Sequence, residues 1–472
     1  MKKKIFLFII FFIPLLGKGQ EKIFPLPTRQ QLAWHEMEYY LFAHFGPNTF
    51  TDKEWGHGDE PASVFNPTQL DCRQWARVAK QAGAKGIIIT AKHHDGFCLW
   101  PSKFSTHTIR ESKWKNGNGD VLKELSQACK EYGLKFGVYI SPWDRNHPDY
   151  GTEKYNDVFV AMMKEIFSAY GPVWELWWDG ANGEGPNGRK QVYDWDRFKK
   201  TIKTISPNTV IFSDVGPHIR WVGNEKGIAG VTNWNFLDTA GFTPGEGAPH
   251  VDTLNRGNAN GKSWIPAECD VSIRPGWFYH RNEDDKVKTG QQLFDLYLKS
   301  VGRGANFLLN VPPDPRGLIH ENDSAALMEF KTLRNESFED NLLRTAKAFW
   351  EISEESLMKD SIAYRTIDAK SGTYSINRQS FSVELPRLTK INCIVLREAI
   401  HLSQTIRSFR IELYEKDKLV KEINGTTIGR KRILSFPVVN ITSFKVLLAD
   451  LGGYDNVSGV AAYLLDESLV EK

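Results

Sequence analysis

The 472-residue sequence contains only five cysteines, and they are widely spaced. They are Cys72, Cys98, Cys129, Cys269 and Cys393, with no CxxC pair among them. A structural zinc site or a disulfide framework needs cysteines at short, regular spacing, so the sequence excludes both. We expect most of the five to be small core residues, and one pair would be able to form a disulfide in an exported protein.

An excess of charge of one sign is also lacking. The sequence has 60 Lys+Arg against 57 Asp+Glu, a formal net charge of +3, without a basic run or stripe. A nucleic-acid-binding surface normally shows as clustered lysine and arginine, so we expect no nucleic-acid partner. The sequence also lacks internal repeats and low-complexity tracts, which favours an ordinary globular protein.

The longest apolar run lies at the N-terminus and is too short to span a membrane comfortably. Three lysines at positions 2–4 precede apolar residues 5–16, and no cysteine follows closely enough for a lipoprotein anchor. A spanning helix needs about 20 residues. The layout is typical of a secretory signal peptide, so we predict that residues 1–20 direct export to the periplasm or the medium. The mature chain then has no membrane span, and a retained anchor is the alternative.

Short apolar runs alternate with helix-like stretches between about residues 30 and 335. The strand-like runs are residues 40–46, 86–90, 135–141, 173–178, 209–213, 263–267 and 305–311. Helices are predicted over residues 70–82 and 121–132, each closed by a glycine. Continuous apolar strands between helices are typical of a parallel sheet buried on both faces. About eight such units predict a (β/α)8 TIM-like barrel over residues 21–340. An open doubly wound sheet is the alternative, but no GxGxxG turn follows the first strand.

The sequence pattern changes after about residue 345. Apolar runs at residues 393–396, 406–414 and 444–448 are short and divided by polar or glycine-containing turns. Residues 407–414 alternate polar and apolar side chains, which is typical of a half-buried antiparallel strand. We therefore predict an all-β, jelly-roll-like sandwich over residues 341–472.

One predicted barrel strand ends in a carboxylate. Residues 173–183 read as a short apolar strand with three tryptophans, followed by Asp179 and a glycine-containing loop. The C-terminal ends of barrel strands hold the active site, and indole rings are broad apolar surfaces on which sugars stack. Asp179 is therefore a candidate catalytic carboxylate of a carbohydrate-active enzyme, and Trp178 a candidate sugar contact. The alternative is a buried strand whose aspartate caps the next helix.

Polar and aromatic residues also gather after the other predicted barrel strands. His44, Glu54 and Trp55 follow the first strand, His93, His94, Asp95 and Trp100 the second, and Tyr139, Trp143 and Asp144 the third. A single histidine is more often a core residue, but successive strand ends converge at one face of a barrel, which favours a site. We expect no metal and no cofactor, because adjacent His93 and His94 on an extended strand would point to opposite faces.

Three motifs carry a resemblance to a known family. They are His44-Phe45-Gly46 with Glu54-Trp55, Lys92-His93-His94-Asp95-Gly96-Phe97, and Trp177-Trp178-Asp179-Gly180. Together they resemble the α-L-fucosidases of glycoside hydrolase family 29, over roughly residues 30–335. The resemblance implies a retaining mechanism with Asp179 as the nucleophile. It also implies that Trp277 contacts the apolar edge of the deoxy-sugar, and that the fucose hydroxyls are held by His44, Glu54, Trp55, His93, His94 and Tyr139.

The acid/base residue is expected in a separate loop. Residues 220–227 are similar to the segment that carries this residue in the subgroup selective for α-1,3/1,4 linkages, which implies Glu225 in the role. Glu268, interpreted as a late strand end, is the competing carboxylate, and a solvated loop glutamate is the other interpretation of Glu225. Residues 216–230, with their Trp, His and Arg, are expected to contact a galactose beside the fucose.

These expectations describe an exported retaining exo-α-L-fucosidase that removes α-1,3/1,4-linked fucose from Lewis-type oligosaccharides or glycoconjugates. The alternatives are a non-catalytic fucose-binding barrel and a barrel glycosidase for another sugar, such as galactose. The presence of both Asp179 and Glu225 favours the enzyme, because a retaining glycosidase needs two carboxyl groups about 5–5.5 Å apart.

Overall fold

The computed structural model describes residues 24–350, 380–450 and 457–470. Between residues 24 and 311 its strands are β1 (Tyr39–Ala43), β2 (Gly86–Lys92), β3 (Lys135–Ile140), β4 (Glu175–Trp177), β5 (Val210–Ser213), β6 (Ile219–Trp221), β7 (Phe236–Leu237), β8 (Ser263–Trp264), β9 (Ala267–Ser272) and β10 (Asn306–Asn310). Eight of these strands close a parallel barrel in the order β1-β2-β3-β4-β5-β6-β9-β10. The predicted barrel is confirmed. The predicted signal peptide, residues 1–20, lies outside the described residues.

Helices surround the barrel in the described part of the chain. They are α1 (Arg29–His35), α2 (Pro47–Thr51), α3 (Cys72–Gln81), α4 (Val121–Tyr132), α5 (Lys154–Ala169), α6 (Trp195–Ile205), α7 (Val251–Arg256), α8 (Gly290–Lys299) and α9 (Glu321–Glu339). The bounds of α4 are those predicted, and its end signals explain why. The Asp120 carboxylate accepts from the Lys123 N–H at its start, and Gly133 at φ 66° ends it in a left-handed conformation that suits glycine.

The barrel is irregular between β5 and β9. Only residues 214–218 separate β5 from β6, so no helix connects them, and α7 with the β7–β8 ribbon lies between β6 and β9. The prediction of a barrel strand at residues 263–267 is wrong. Ser263–Trp264 pairs antiparallel with Phe236–Leu237, and the barrel strand begins at Ala267.

Strand β9 was missed because its side chains alternate instead of forming an apolar run. Glu268 and Asp270 point into the barrel, where Glu268 accepts from the Trp177 indole and Asp270 lines a cavity. Ala267 and Cys269 point outward into a small apolar cluster. Polar residues on the inner face therefore mark β9 as a strand that contributes to a site.

The C-terminal region forms a separate antiparallel sheet. Its described strands are β11 (Lys347–Trp350), β12 (Ser380–Glu398), β13 (Ile406–Glu415), β14 (Lys418–Gly425), β15 (Arg432–Asp450) and β16 (Val457–Tyr463). Their order is β11-β12-β15-β13-β14, with β16 paired to β12. Phe409, Ile411 and Leu413 are buried at alternate positions of β13, as predicted. They belong to an apolar core formed by the C-terminal sheet. Residues 351–379 and 451–456 of the predicted sandwich lie outside the described residues.

Polar contacts join the sheet domain to the base of the barrel. The Asn233 N–H donates to Thr427 Oγ1 over 2.9 Å, and Lys431 pairs with Glu38 over 2.6 Å. All five cysteines are free and buried, so the possible disulfide is not formed. None of the helices in the described ranges is long and apolar enough to cross a membrane.

Candidate active site

The C-terminal ends of the barrel strands surround a cavity of about 270 Å³. Its lining residues are Phe42, His44, Glu54, Trp55, His93, His94, Tyr139, Trp177, Asp179, Ala181, Glu225, Asp270 and Trp277. This set includes nine of the ten site residues predicted from the sequence, and the exception is Trp178. Side chains from distant parts of the sequence therefore meet in one small space, as expected for the functional face of a barrel.

Asp179 lies two residues beyond the end of β4 and is held by two donors. The Tyr139 hydroxyl donates to Asp179 Oδ2 over 2.9 Å, and the Ala181 N–H donates to Oδ1 over 2.8 Å. His94 Nε2 lies 3.7 Å from the same Oδ2. The carboxylate is thus oriented through both oxygens while its side chain remains 26% exposed to the cavity. This is the arrangement that a positioned nucleophile needs.

Trp178, predicted as a sugar contact, does not line the cavity, whereas Trp177 does. Trp178 is fully buried outside the barrel, where it packs on Trp195 and Phe198 of α6. Successive side chains on a strand point to opposite faces, so Trp177 shares the inner face with Asp179. The Trp177 ring stacks on Phe212 at a centroid distance of 3.9 Å and forms part of the cavity wall.

His44 and His94 are neutral hydrogen-bonding groups. Burial lowers the pKa of each to about 4. The Ser141 hydroxyl donates to the Trp143 carbonyl, so it accepts from His94 Nδ1 over 2.7 Å. The Asn310 amide donates to other groups, so its Oδ1 accepts from His44 Nδ1 over 2.8 Å. From this network we assign both protons to Nδ1, which leaves Nε2 as an acceptor.

His93 lies beside His94 in the same cavity. Their ring centroids are 4.2 Å apart, because β2 ends at Lys92 and the chain turns immediately afterwards. The expectation that they point to opposite faces is therefore wrong. Burial lowers the pKa of His93 well below its usual value. Within the described ranges, no group of three or more His, Cys, Asp or Glu side chains is arranged to hold a metal ion.

Glu54 supports the loop that carries Trp277. Its carboxylate accepts the N–H groups of Trp277 and Phe278 over 2.8 and 3.0 Å. It also accepts from His280 Nε2 over 2.7 Å. Oε2 makes one of these bonds and Oε1 two, so Oε2 has capacity for a further donor. Glu54 is therefore a scaffold for Trp277 as well as a cavity residue.

Glu225 enters the cavity from the loop after β6. The side chain of Asn224 shapes the turn, since its Oδ1 accepts from the Lys226 N–H and its Nδ2 donates to the Ile228 carbonyl. The Trp277 indole N–H donates to Glu225 Oε2 over 3.2 Å. Glu225 is thus a cavity-lining carboxyl group, and Trp277 contacts both Glu225 and Glu54.

Two other side chains of residues 216–230 do not face the cavity as expected. The Arg220 guanidinium is buried, where it donates to Asn233 Oδ1 and to the Trp234 carbonyl over 3.0 Å each. His218 Nδ1 accepts from the Ile211 N–H over 3.0 Å. Both side chains serve the scaffold, and the prediction that they meet a neighbouring sugar is wrong.

Glu268 is not at a strand end but near the start of β9, inside the barrel. It is fully buried beside Glu175 and accepts from the Trp177 indole over 2.8 Å and from the Tyr40 hydroxyl. Burial raises the pKa of both carboxyl groups, and the charge of Glu268 raises that of Glu175 further. Both side chains are fully buried, so Glu268 lacks the access that an acid/base needs.

Asp270 and Phe42 are cavity residues that sequence reasoning missed. Burial, with repulsion from Glu225 and Glu268, raises the pKa of Asp270 well above its usual value. A protonated Asp270 is a donor as well as an acceptor. The signals were present in the sequence, because Phe42 precedes His44 by two residues and Asp270 follows Glu268 by two.

Comparisons with known proteins agree with this geometry. The family model described as alpha-L-fucosidase matches residues 26–332. Alpha-L-fucosidase 1 of Arabidopsis thaliana is 42% identical over 439 residues, covering 90% of this chain and 85% of the relative.

Two solved structures extend the similarity to three dimensions. A glycoside hydrolase 29 family member from an unknown rumen bacterium has 38% identity and a TM-score of 0.81, covering 94% of this chain and 78% of that one. The Ruminococcus gnavus GH29 fucosidase in complex with fucose has 29% identity and a TM-score of 0.85, and the match covers 96% of this chain and 98% of that one.

Proposed function

This chain belongs to the alpha-L-fucosidase family, glycoside hydrolase family 29, and we propose that it is a retaining exo-α-L-fucosidase selective for α-1,3/1,4 linkages. The observation that carries the proposal is the joint lining of one cavity by Asp179 and Glu225. Asp179 is oriented by Tyr139 and Ala181, and Glu225 is contacted by the Trp277 indole.

The reaction follows from the roles of these two groups. Asp179 attacks the anomeric carbon while Glu225 gives its proton to the departing glycosidic oxygen, and a fucosyl ester forms on Asp179. Glu225 then takes a proton from water, whose oxygen attacks the same carbon and releases Asp179. Two inversions retain the configuration at that carbon, and one water is consumed for each bond cleaved.

The remaining cavity residues suit a 6-deoxy sugar. The Nε2 atoms of His44 and His94 accept from hydroxyls, and Asp270, whose pKa is raised by burial, accepts from them and when protonated also donates. The indole faces of Trp177 and Trp277 provide apolar surface for ring carbons and for the methyl group. The cavity of about 270 Å³ lies below the roughly 300–1,000 Å³ of sites for drug-sized ligands. This size supports removal of one terminal sugar at a time.

The linkage preference rests on the similarity of the Asn224-Glu225 segment to the α-1,3/1,4-selective subgroup. Trp55 adds a physical reason, since its ring is 54% exposed at the edge of the cavity and offers a stacking surface to the next sugar. Binding energy from that sugar would then be used in the transition state.

A substrate panel tests the proposal. We expect kcat/KM on Lewis-type trisaccharides to exceed the values on an α-1,2-fucosyl-lactose and on an aryl α-L-fucoside. Equal values on all three would contradict the linkage preference without affecting fucosidase activity. An aryl α-galactoside serves as the control for sugar identity, and we expect no turnover of it.

The proposal also includes export of the protein, directed by residues 1–20. The support is the order of charges and apolar residues within positions 1–20. We expect the protein recovered from the periplasm or the medium to lack this segment when its N-terminus is sequenced. Recovery of the intact N-terminus in the membrane fraction would show a retained anchor.

A further inference from the structure

His280 lies outside the cavity, in contact with two carboxylates. Its Nε2 lies 2.7 Å from Glu54 Oε1, and its Nδ1 lies 2.6 Å from Asp52 Oδ1. A carboxylate only accepts hydrogen bonds, so both ring nitrogens must carry protons. His280 is therefore an imidazolium cation bridging two anions, and its side chain is 12% exposed.

The contacts of Glu54 carry this arrangement into the cavity. Glu54 accepts the consecutive N–H groups of Trp277 and Phe278, and the Trp277 indole in turn donates to Glu225. Gly276 lets the backbone approach this point closely. A Cβ there would lie 2.7 Å from Glu54 Oε1 and 2.8 Å from His280 Cδ2. The chain of contacts from Asp52 to Glu225 is thus continuous and tightly packed.

We propose that His280 is a positioning residue: by bridging Asp52 and Glu54 in its doubly protonated form, it fixes the Trp277 loop against Glu225. The inference rests on the proposed role of Glu225 as acid/base. Loss of the His280 proton removes one of the two bridges, and with it part of the support that holds Glu54 and the Trp277 loop in place.

The electrostatic surroundings favour the required proton. Burial opposes the charged form, but the hydrogen bonds and negative charges of Asp52 and Glu54 raise the pKa of His280 above its usual value. Glu283, in the next turn, is bound to the Gly276 N–H. The doubly protonated state therefore persists to higher pH than in a free imidazole and is lost as pH rises through the raised pKa.

The first test compares His280→Ala with His250→Ala, a control whose side chain is 74% exposed and pairs with Asp252. An activated aryl fucoside is the substrate, because its departure needs little help from a general acid. We expect His280→Ala to lower kcat/KM about tenfold at neutral pH, with a larger loss on a substrate with a poor leaving group. His250→Ala should match the parent. Equal behaviour of the two variants would overturn the inference.

Asp52→Asn is the second test and covers the case in which His280→Ala does not fold. Asp52 is 73% exposed, and its substitution removes one of the two charges that keep His280 protonated. The alkaline limb of kcat/KM on the activated fucoside should then move to lower pH by about 0.5–1 unit. A pH profile that superimposes on the parent would contradict the inference.

A separate measurement tests the role of Glu225 as acid/base, on which the inference rests. Azide should restore the rate of Glu225→Ala if Glu225 is the acid/base. Absence of this rescue would reject that role, whereas rescue with unchanged His280→Ala and Asp52→Asn profiles would reject only the positioning role of His280.

Discussion

Two pairs of carboxyl groups in the barrel differ in depth, with Asp179 and Glu225 at its mouth and Glu175 and Glu268 in its interior. Asp179 and Glu225 line the cavity, each contacted by donors from the protein and open to a ligand. Glu175 and Glu268 lie deeper, fully buried, and are contacted by Trp34, Trp177 and Tyr40. The four carboxyl groups therefore differ in their surroundings, since one pair is open to the cavity and the other is fully buried.

The difference shows that depth along a strand decides what a carboxyl group does. Glu175 begins β4, and Asp179 lies just beyond its end. The interior pair is fully buried, so the pKa of both groups is raised, and Glu268 accepts from the Trp177 indole. The mouth pair lines the cavity, and this access is what the catalytic roles proposed for Asp179 and Glu225 require.

The largest effect should come from the mouth. Asp179→Asn is expected to lower turnover by several orders of magnitude, because the amide is a poor nucleophile. The variant should still unfold within a few degrees of the parent, as measured by circular dichroism. A variant with substantial turnover would remove Asp179 from the catalytic pair.

Glu225→Ala should affect substrates according to their leaving groups. We expect a loss of about 10²–10⁴-fold with natural glycosides, since general acid catalysis contributes that much. The loss on an activated aryl fucoside should be far smaller, and azide should restore part of the rate. If Glu268→Ala behaved this way and Glu225→Ala did not, the two pairs would have to exchange roles.

Substitutions in the interior pair should lower the stability of the protein rather than its catalytic activity. Glu268→Ala removes the acceptor of the Tyr40 hydroxyl and of the Trp177 indole, and we expect the free energy of unfolding to fall by about 3 kcal/mol. Glu268→Gln, which keeps a carbonyl acceptor, should lose less. Denaturant titration measures both, and kcat/KM of the folded protein should stay within about tenfold of the parent.

Asp95 sharpens the comparison because it lies near the mouth but is buried. Burial raises its pKa to about 7, against a usual value of 3.8. The folded state therefore binds more protons than the unfolded state between about pH 4 and 7, so stability falls as pH rises through this window.

Asp95→Asn should remove the fall in stability with rising pH while leaving activity close to that of the parent. The stability of the variant relative to the parent should increase by roughly 1 kcal/mol per pH unit from pH 4 to 7 and then level off. Denaturant titrations across this range provide the measurement. A constant difference would show that burial does not raise the pKa of Asp95.

Much of the fold and of the mouth was predictable from the sequence. Strands such as β2 and β10 are continuous apolar runs, and polar residues that follow them, such as His93 and His94, necessarily reach one face of the barrel. Strand β9 was not predictable from apolar runs, because its inner face carries Glu268 and Asp270 for the interior and the cavity.

Two further errors have local causes. Trp178 was preferred to Trp177 although strand alternation places Trp177 on the face of Asp179. Arg220 was expected in the sugar site, but its guanidinium instead satisfies buried carbonyls such as that of Leu254. Burial of a charged group by backbone acceptors depends on tertiary contacts that a single sequence does not reveal.

The assignment of chemistry to the mouth is tested most directly by trapping the covalent intermediate. A fluorinated fucosyl substrate that forms the ester quickly and releases it slowly should label the protein once. Peptide mapping by mass spectrometry should place the fucosyl group on Asp179, with no label in Asp179→Asn. A label on Glu225, Glu268 or another carboxylate would contradict the central claim.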